Sequence, residues 1–360
     1  MGHTFLLATY LHQMSPFLWE IMPGIGIRWY GLSYLAGALI GAGIVMFMAG
    51  RGRSRLPQSL VVEFAFNVLI GAFVGGRLGF CLLYEPKLLG FIDEFPYWGV
   101  LAIQQGGMAS HGGMIGMLVA IVLFARKHHI PLWQLLDVTC LVGPIGVMLG
   151  RMANLINGEL YGRACSADLS WGVKFPKEIY TWEPDQMKQL APIAEMVGIE
   201  PAAWLTWLND PERFSAFISA GISKMLDAIE HHSQPVAAAI EPMLTARYPS
   251  QLIQAVLEGL LVFVILALLW SRPRKPGVVS AVFVCLYAIA RIIGEQFRMP
   301  DPELGFELFG LTRGQELSFI MLMMGIALLV YTARRSVDKE PAWIGPTLPG
   351  AADHGEPFTQ

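Results

Sequence analysis

The sequence predicts an all-α integral membrane protein. Seven transmembrane helices are expected, with the N-terminus outside, the C-terminus cytoplasmic and a small head on the outer side between spans four and five. Three observations carry this. Of 360 residues, 54% are hydrophobic and only 15% are charged, whereas soluble domains carry about 25% charged residues. Seven stretches offer the ~20 mostly apolar residues that cross a bilayer. Lysines and arginines gather in alternate turns between those stretches, which is the asymmetry that orients membrane proteins.

Taken in order, residues 1–28 form an outer N-terminal arm. Its first cationic side chain is Arg28, so no cleaved leader is expected. Spans one to four, within 29–155, fall at 29–49, 60–84, 107–125 and 132–152. They must be helical, because lipid offers backbone amides and carbonyls no partner. Residues 156–250 are too long for a turn. They hold Trp171, Trp182, Trp204 and Trp207, several prolines and helix-like patterns near 186–197 and 212–231. This segment reads as a folded head, its tryptophans as core, with an interfacial role the alternative. Trp19, Trp29 and Trp98 lie beside span ends, as an aromatic belt requires. Spans five to seven, within 251–335, fall at 251–270, 277–296 and 314–333. The tail 336–360 is rich in Pro and Gly and is expected to be disordered.

Arg51, Arg53 and Arg55 follow span one, Arg126 and Lys127 span three, Arg272, Arg274 and Lys275 span five, and Arg334, Arg335 and Lys339 span seven. The short segments on the other side hold only Arg28, Lys87, Arg298 and Arg313. The richer side is cytoplasmic by the positive-inside rule. An odd number of spans gives the same orientation.

Composition also excludes functions. A net charge of −3 leaves no basic footprint for nucleic acid. Cys81, Cys140 and Cys285 lie in apolar stretches and Cys165 stands alone in a polar loop; none has metal-ligand spacing, and buried structural thiols are the simplest reading. His-Glu-x-x-His, Gly-x-Ser-x-Gly and P-loop patterns are absent, as is any Asp-Gly dipeptide. No catalytic metal and no cofactor are expected.

Chemistry concentrates where span four ends. Residues 150–163 pack Arg151, Asn154, Asn157, Glu159 and Arg163 among three glycines. Arg151 and Asn154, three apart, share a helix face. Asn157 and Glu159 follow around a turn at Gly158. Charges at a bilayer edge are costly and mark function, and the planar guanidinium fork matches a phosphodiester bidentately. A snorkelling arginine with capping asparagines accounts for one or two of these residues but not for the set. A second run, Gly106-Gly107-Met-Ala-Ser-His111-Gly112-Gly113-Met-Ile-Gly116, opens span three. His111 can accept a proton there, a helix cap being the alternative, and the glycines allow close approach of backbone or ligand. Tyr287, Arg291 and Glu295 recur every four residues in span six, and Arg298 extends the stripe, which requires a polar interior; an Arg291–Glu295 pair tying helices together is the alternative. Arg77, in Gly75-Gly76-Arg77, and Tyr30 lie at the same depth, though Tyr30 also suits a plain interfacial position. Glu63, Asn67 and Asp137 read as structural.

These residues resemble the bacterial prolipoprotein diacylglyceryl transferases from Tyr30 to Arg335, the long outer loop excepted. The most specific element is Gly150-Arg151-x-Ala153-Asn154-x-x-Asn157-x-Glu159-x-x-Gly162. Trp29-Tyr30-Gly31, Gly75-Gly76-Arg77, His111-Gly112-Gly113, Pro249-Ser250-Gln251 and Arg291-Ile-Ile-Gly-Glu295 support it. There are three departures: Gln105 replaces an acidic residue, Ala109-Ser110 replaces Ser-Phe, and Tyr248 replaces a histidine. They bear on substrate preference more than on the reaction.

The resemblance implies transfer of a diacylglyceryl group from phosphatidylglycerol to the lipobox cysteine of a preprolipoprotein signal peptide, giving a thioether and glycerol phosphate. It implies His111, Arg151, Arg291, Tyr30 and Asn154 as catalytic residues. Phosphatidylglycerol would be held by Arg151, Arg291, Asn154, Glu159, Gly162, Arg77, Tyr287, Glu295 and Arg298. It places the chain in the bacterial inner membrane, with a periplasmic head, surrounded by membrane lipid. Arg151, Arg291 and His111 are expected around one headgroup. A lipid transporter is the rival class, but no inverted repeat is visible. An intramembrane protease would need a Ser/His, Asp/Asp or zinc arrangement that the spans lack.

Overall fold

A computed structural model describes residues 9–22, 25–93, 95–102, 106–210, 214–300 and 310–344. Gln105 and the final stretch of the tail lie outside the described residues. Among the described residues six helices are long and apolar enough to cross a membrane: α1 (Trp29–Gly50), α2 (Val61–Leu83, entered through a 3-10 turn at Gln58–Leu60), α3 (Ser110–His128), α4 (Leu132–Ile156), α10 (Ser250–Trp270) and α12 (Arg313–Arg334). The sixth expected span is α11 (Val278–Gly294), which is apolar but has only 17 residues. At 1.5 Å per residue it measures roughly 25 Å, less than the ~30 Å hydrocarbon core.

The chain divides into two compact units, Met1–Tyr34 with Val147–Gly259 and Ile289–Phe319, and Leu35–Gly146 with Leu260–Ala288 and Ile320–Gln360.

The first unit contains the head. Its helices are α5 (Pro184–Met187), α6 (Ala191–Met196), α7 (Pro201–Leu208), α8 (Ser219–Glu230) and α9 (Gln234–Ile240). They close on a core of Leu190, Ile193, Trp204, Ile222, Met225 and Ile240. Trp204 is fully buried and its indole N–H donates to the Met187 carbonyl at 2.9 Å. Trp182 and Trp207 pack against this core, while Trp171 is exposed. Beside its helices this unit carries a few short strands. Strand β1 (Tyr10–Leu11) pairs parallel with β4 (Val173–Lys174), which pairs antiparallel with β5 (Ala246–Arg247). A separate hairpin joins β2 (Phe17–Met22) to β3 (Ile25–Arg28) immediately before α1. Two-residue strands carry no readable period-2 pattern, and Phe17–Met22 is an unbroken apolar run apart from Glu20, so neither sheet shows in the sequence.

In the head a buried ion pair orders the chain between α4 and α10. Glu178 is fully buried; its carboxylate accepts from Arg247 Nε at 2.6 Å and from the Thr245 amide at 2.8 Å. Arg247 also lies over the Tyr161 ring and donates to the Gly162 carbonyl.

In the second unit, α2 and α3 meet along a seam of glycines. A Cβ on Gly75 would meet the Gly112 carbonyl and lie 2.7 Å from the Gly116 Cα. The glycines around His111 therefore serve helix–helix contact, as small residues do in membranes. Asp137 accepts from the amides of Gly277 and Ser280, both at 2.7 Å, at the start of α11, so it caps the positive end of that helix. Glu63 pairs with Lys127 at 2.8 Å and His128 at 3.1 Å. The tail is ordered further than expected. Glu340 pairs with Arg55 at 3.1 Å, the Trp270 indole donates to the Pro341 carbonyl, and the Trp343 indole donates to the Ala267 carbonyl.

Candidate active site

The polar end of α4 is built by its own last turns and the bend that follows. Gly158 takes φ +62° and Leu160 φ +54°, reversing the chain just after the helix. The reversal returns Glu159 to Asn154, whose Nδ2 donates to Glu159 Oε1 at 2.8 Å. The Tyr30 hydroxyl, from the first turn of α1, donates to the same carboxylate oxygen and accepts from Asn154. Tyr30, more than a hundred residues upstream, thus closes one hydrogen-bond set with Asn154 and Glu159.

The bend is clasped from several sides. Gln251 Nε2 donates to the Glu159 carbonyl at 2.7 Å and Ser250 Oγ to the Leu160 carbonyl at 2.9 Å. This accounts physically for the Pro249-Ser250-Gln251 motif. Lys177 Nζ donates to the Asn157 carbonyl at 2.6 Å, and His12 Nε2 to the Leu155 carbonyl at 2.7 Å. Gly162 is required by space: a Cβ there would meet the Tyr248 carbonyl and come within 2.7 Å of the Phe297 carbonyl. Its amide donates to Tyr248, and the following amide, Arg163, donates to Phe297. Gly162 thus lets two backbone segments close on the loop.

The charged centre lies on α4, α10 and α11. Arg151 donates to Glu258 Oε2 through Nη2 at 2.9 Å. Arg291 reaches the other oxygen, Glu258 Oε1, through Nη1 at 3.4 Å, and Glu295 Oε1 through Nη2 at 2.8 Å. Arg298 joins Glu295 at 3.2 Å, and Thr312 Oγ1 donates to Glu295 Oε2 at 3.2 Å. Both carboxylates are buried, Glu258 completely. Three guanidinium groups around two carboxylates leave a net positive charge, and all three arginines keep some exposure. Arg151 is also close enough to the Tyr30 and Tyr34 hydroxyls to act on them electrostatically.

Glu258 was not among the residues singled out by the sequence. It stands in a π-helical segment of α10, Ala255–Leu261, a distortion that recurs at functional sites. The next residue, Gly259, lies against α4, where a Cβ would fall 2.5 Å from Met148 Cβ. That close approach brings Glu258 within reach of Arg151, one turn beyond Met148. A lone carboxylate in an otherwise apolar span is the signal that could have found it.

The remaining expected residues lie in the second unit. His111 is exposed in the first turn of α3. Tyr287 stacks on Phe283, with ring centroids 5.7 Å apart. Arg77 is buried, and its five N–H groups go to backbone carbonyls: Nε to Val100, Nη1 to Gly106 and Gly107, Nη2 to Gly99 and Ala102. It cages the loop before α3, whereas the sequence pointed it at lipid.

A multi-helix membrane protein with arginines converging on buried carboxylates is the class that this fold and site define. The family model for prolipoprotein diacylglyceryl transferase matches residues 16–331. A protein of Bdellovibrio bacteriovorus named phosphatidylglycerol–prolipoprotein diacylglyceryl transferase is 45% identical over 341 residues, covering 92% of this chain and 97% of its own length. Proteins of the same name from Bradyrhizobium diazoefficiens and Neisseria gonorrhoeae are 33% and 32% identical, covering 90% and 88% of this chain and each 94% of its own length. The chain belongs to the prolipoprotein diacylglyceryl transferase family.

Proposed function

We propose that this protein transfers the diacylglyceryl group of phosphatidylglycerol to the lipobox cysteine thiol of preprolipoproteins, releasing glycerol phosphate, in the bacterial inner membrane. The observation that carries this reading is the sharing of buried Glu258 by Arg151 and Arg291 from separate helices. In the reaction a carbon–sulfur bond forms as a carbon–oxygen bond to phosphate breaks. The phosphodiester becomes a monoester, so one further negative charge develops on the departing oxygen. Guanidinium groups already ordered by carboxylates stabilise that charge without reorganising. Arg151 and Arg291 hold the phosphodiester, Glu258 and Glu295 set their orientation, and Arg298 adds positive potential. Tyr30, Asn154 and Glu159 form the polar wall beside them, which orients the headgroup.

The attacking thiol has an ordinary pKa of about 8.5 and must lose its proton. His111 keeps the role its motif gives it, as proton acceptor. Arg77 holds the loop before His111 instead of touching lipid. Seven spans, with the N-terminus and head periplasmic and the C-terminus cytoplasmic, complete the proposed topology. Holding lipid and signal peptide together in the membrane lowers the entropic barrier.

Purified protein incubated with phosphatidylglycerol and a lipobox peptide is expected to give a cysteine adduct heavier by one diacylglyceryl group, and chelator should not suppress it. Movement of lipid without covalent change would favour a transporter. His111→Gln should abolish transfer while sparing lipid binding; undiminished turnover would remove His111 from the mechanism.

A further inference from the structure

Helix α10 carries Gln251, Gln254 and Glu258 at helical spacing, and all three are fully buried. Glu258 is engaged by two arginines. Gln251 donates to the Glu159 carbonyl, but among the described residues its Oε1 has no partner, and Gln254 has none for either Oε1 or Nε2. The Gln254 amide nitrogen stands beside the charged centre. A Cβ on Gly294, three residues beyond Arg291, would lie 3.3 Å from Glu258 Oε1 and 3.6 Å from Gln254 Nε2. Amide and carboxylate therefore face the same patch of α11. Buried polar groups are nearly always hydrogen-bonded, and leaving one unsatisfied is costly. Methionine or leucine would fill this position without that cost, so the amide marks a ligand contact.

We propose that Gln254, assisted by Oε1 of Gln251, receives the hydroxyl groups of the glycerol headgroup of the lipid donor and makes the enzyme select a hydroxyl-bearing headgroup. This rests on the function proposed above. A hydroxyl both donates and accepts, and Gln254 offers one unused group of each kind. An ammonium headgroup only donates and would bring a further positive charge beside Arg151, Arg291 and Arg298. The headgroup hydroxyls lie a few bonds from the phosphate, as Gln254 lies one turn from the carboxylate that orders the phosphate-binding arginines.

The test compares phosphatidylglycerol with phosphatidylpropanol of the same acyl chains, which keeps the phosphodiester and lacks the hydroxyls. Both are offered to the full-length protein with a lipobox peptide. Wild-type kcat/KM is expected to favour phosphatidylglycerol by about tenfold, the effect of losing one or two neutral hydrogen bonds. In Gln254→Met that ratio should fall to within about twofold of unity, the loss falling mainly on phosphatidylglycerol. Gln254→Glu, which keeps acceptors and removes the donor, should also reduce it. Equal wild-type use of both lipids would overturn the proposal, as would a folded Gln254 variant with an unchanged ratio. No transfer from either lipid by wild type would instead overturn the proposed function itself.

Discussion

Glu258 and Glu178 are both completely buried, yet their loss should have different consequences. Glu178 ties Arg247 and Thr245 to the head and touches no group proposed to meet substrate. Arg247→Met leaves that carboxylate uncompensated, a change that typically costs about 3–5 kcal/mol. Thermal unfolding of the purified variant should register the loss, with activity falling only through the folded fraction. Glu258→Gln keeps the shape but releases Arg151 and Arg291 from a shared anion. There kcat should fall at least tenfold with little change in melting temperature; a melting loss as large as that of Arg247→Met would mark Glu258 as merely structural. His12 supplies a pH dependence. Burial pushes its imidazole down from 6.5 to about 4. The unfolded chain takes up a proton below about pH 6.5 and the folded chain does not until near 4. Stability present above pH 6.5 is therefore lost on acidification, by about 2 kcal/mol at pH 5. His12→Gln should flatten that part of the stability profile, and an unchanged slope would assign it to other groups.

Among the elements, the polar end of α4 was legible because its residues are close in sequence: Arg151, Asn154 and Glu159 announce themselves within nine positions. The i, i+4 stripe of α11 was equally plain, and Arg291, Glu295 and Arg298 do meet. The fifth span hid its contribution, since one Glu in a strongly apolar run leaves its mean hydropathy high and its helical phase is altered by the π segment. Arg77 and the glycines beside His111 were visible, but sequence could not tell a ligand-facing cation from one saturated by backbone carbonyls, nor a ligand cleft from a helix seam. The hairpin before α1 was missed because its exposed side chains are nearly all apolar. Two elements give direct tests. Gly162→Ala pushes a methyl group into the carbonyls of Tyr248 and Phe297, for about 1–3 kcal/mol of destabilisation, and should abolish transfer by moving the Glu159 loop. Gly75→Leu should separate α2 from α3 and lower the melting temperature; wild-type stability in that variant would contradict the seam.

For the whole molecule, composition and the placement of Lys and Arg were enough to read a polytopic membrane protein, because the bilayer enforces helical spans of set length. The 17-residue α11 is where that rule is weakest. Single cysteines at Arg53 and Lys275 should be labelled only from the cytoplasmic face, and one at Trp171 only from the periplasmic face. Labelling of all three from one face would refute the proposed topology. The proposed chemistry turns on Arg151 and Arg291 acting as rigid forks on one phosphodiester. The most direct test follows the lipobox peptide by mass while glycerol phosphate release is measured, for wild type and for Arg151→Lys and Arg291→Lys. Wild type is expected to yield adduct and glycerol phosphate in equal amounts, and each lysine variant, still cationic but no longer bidentate, should be slower by about a hundredfold. Lysine variants that transfer at the wild-type rate would contradict the proposed mechanism.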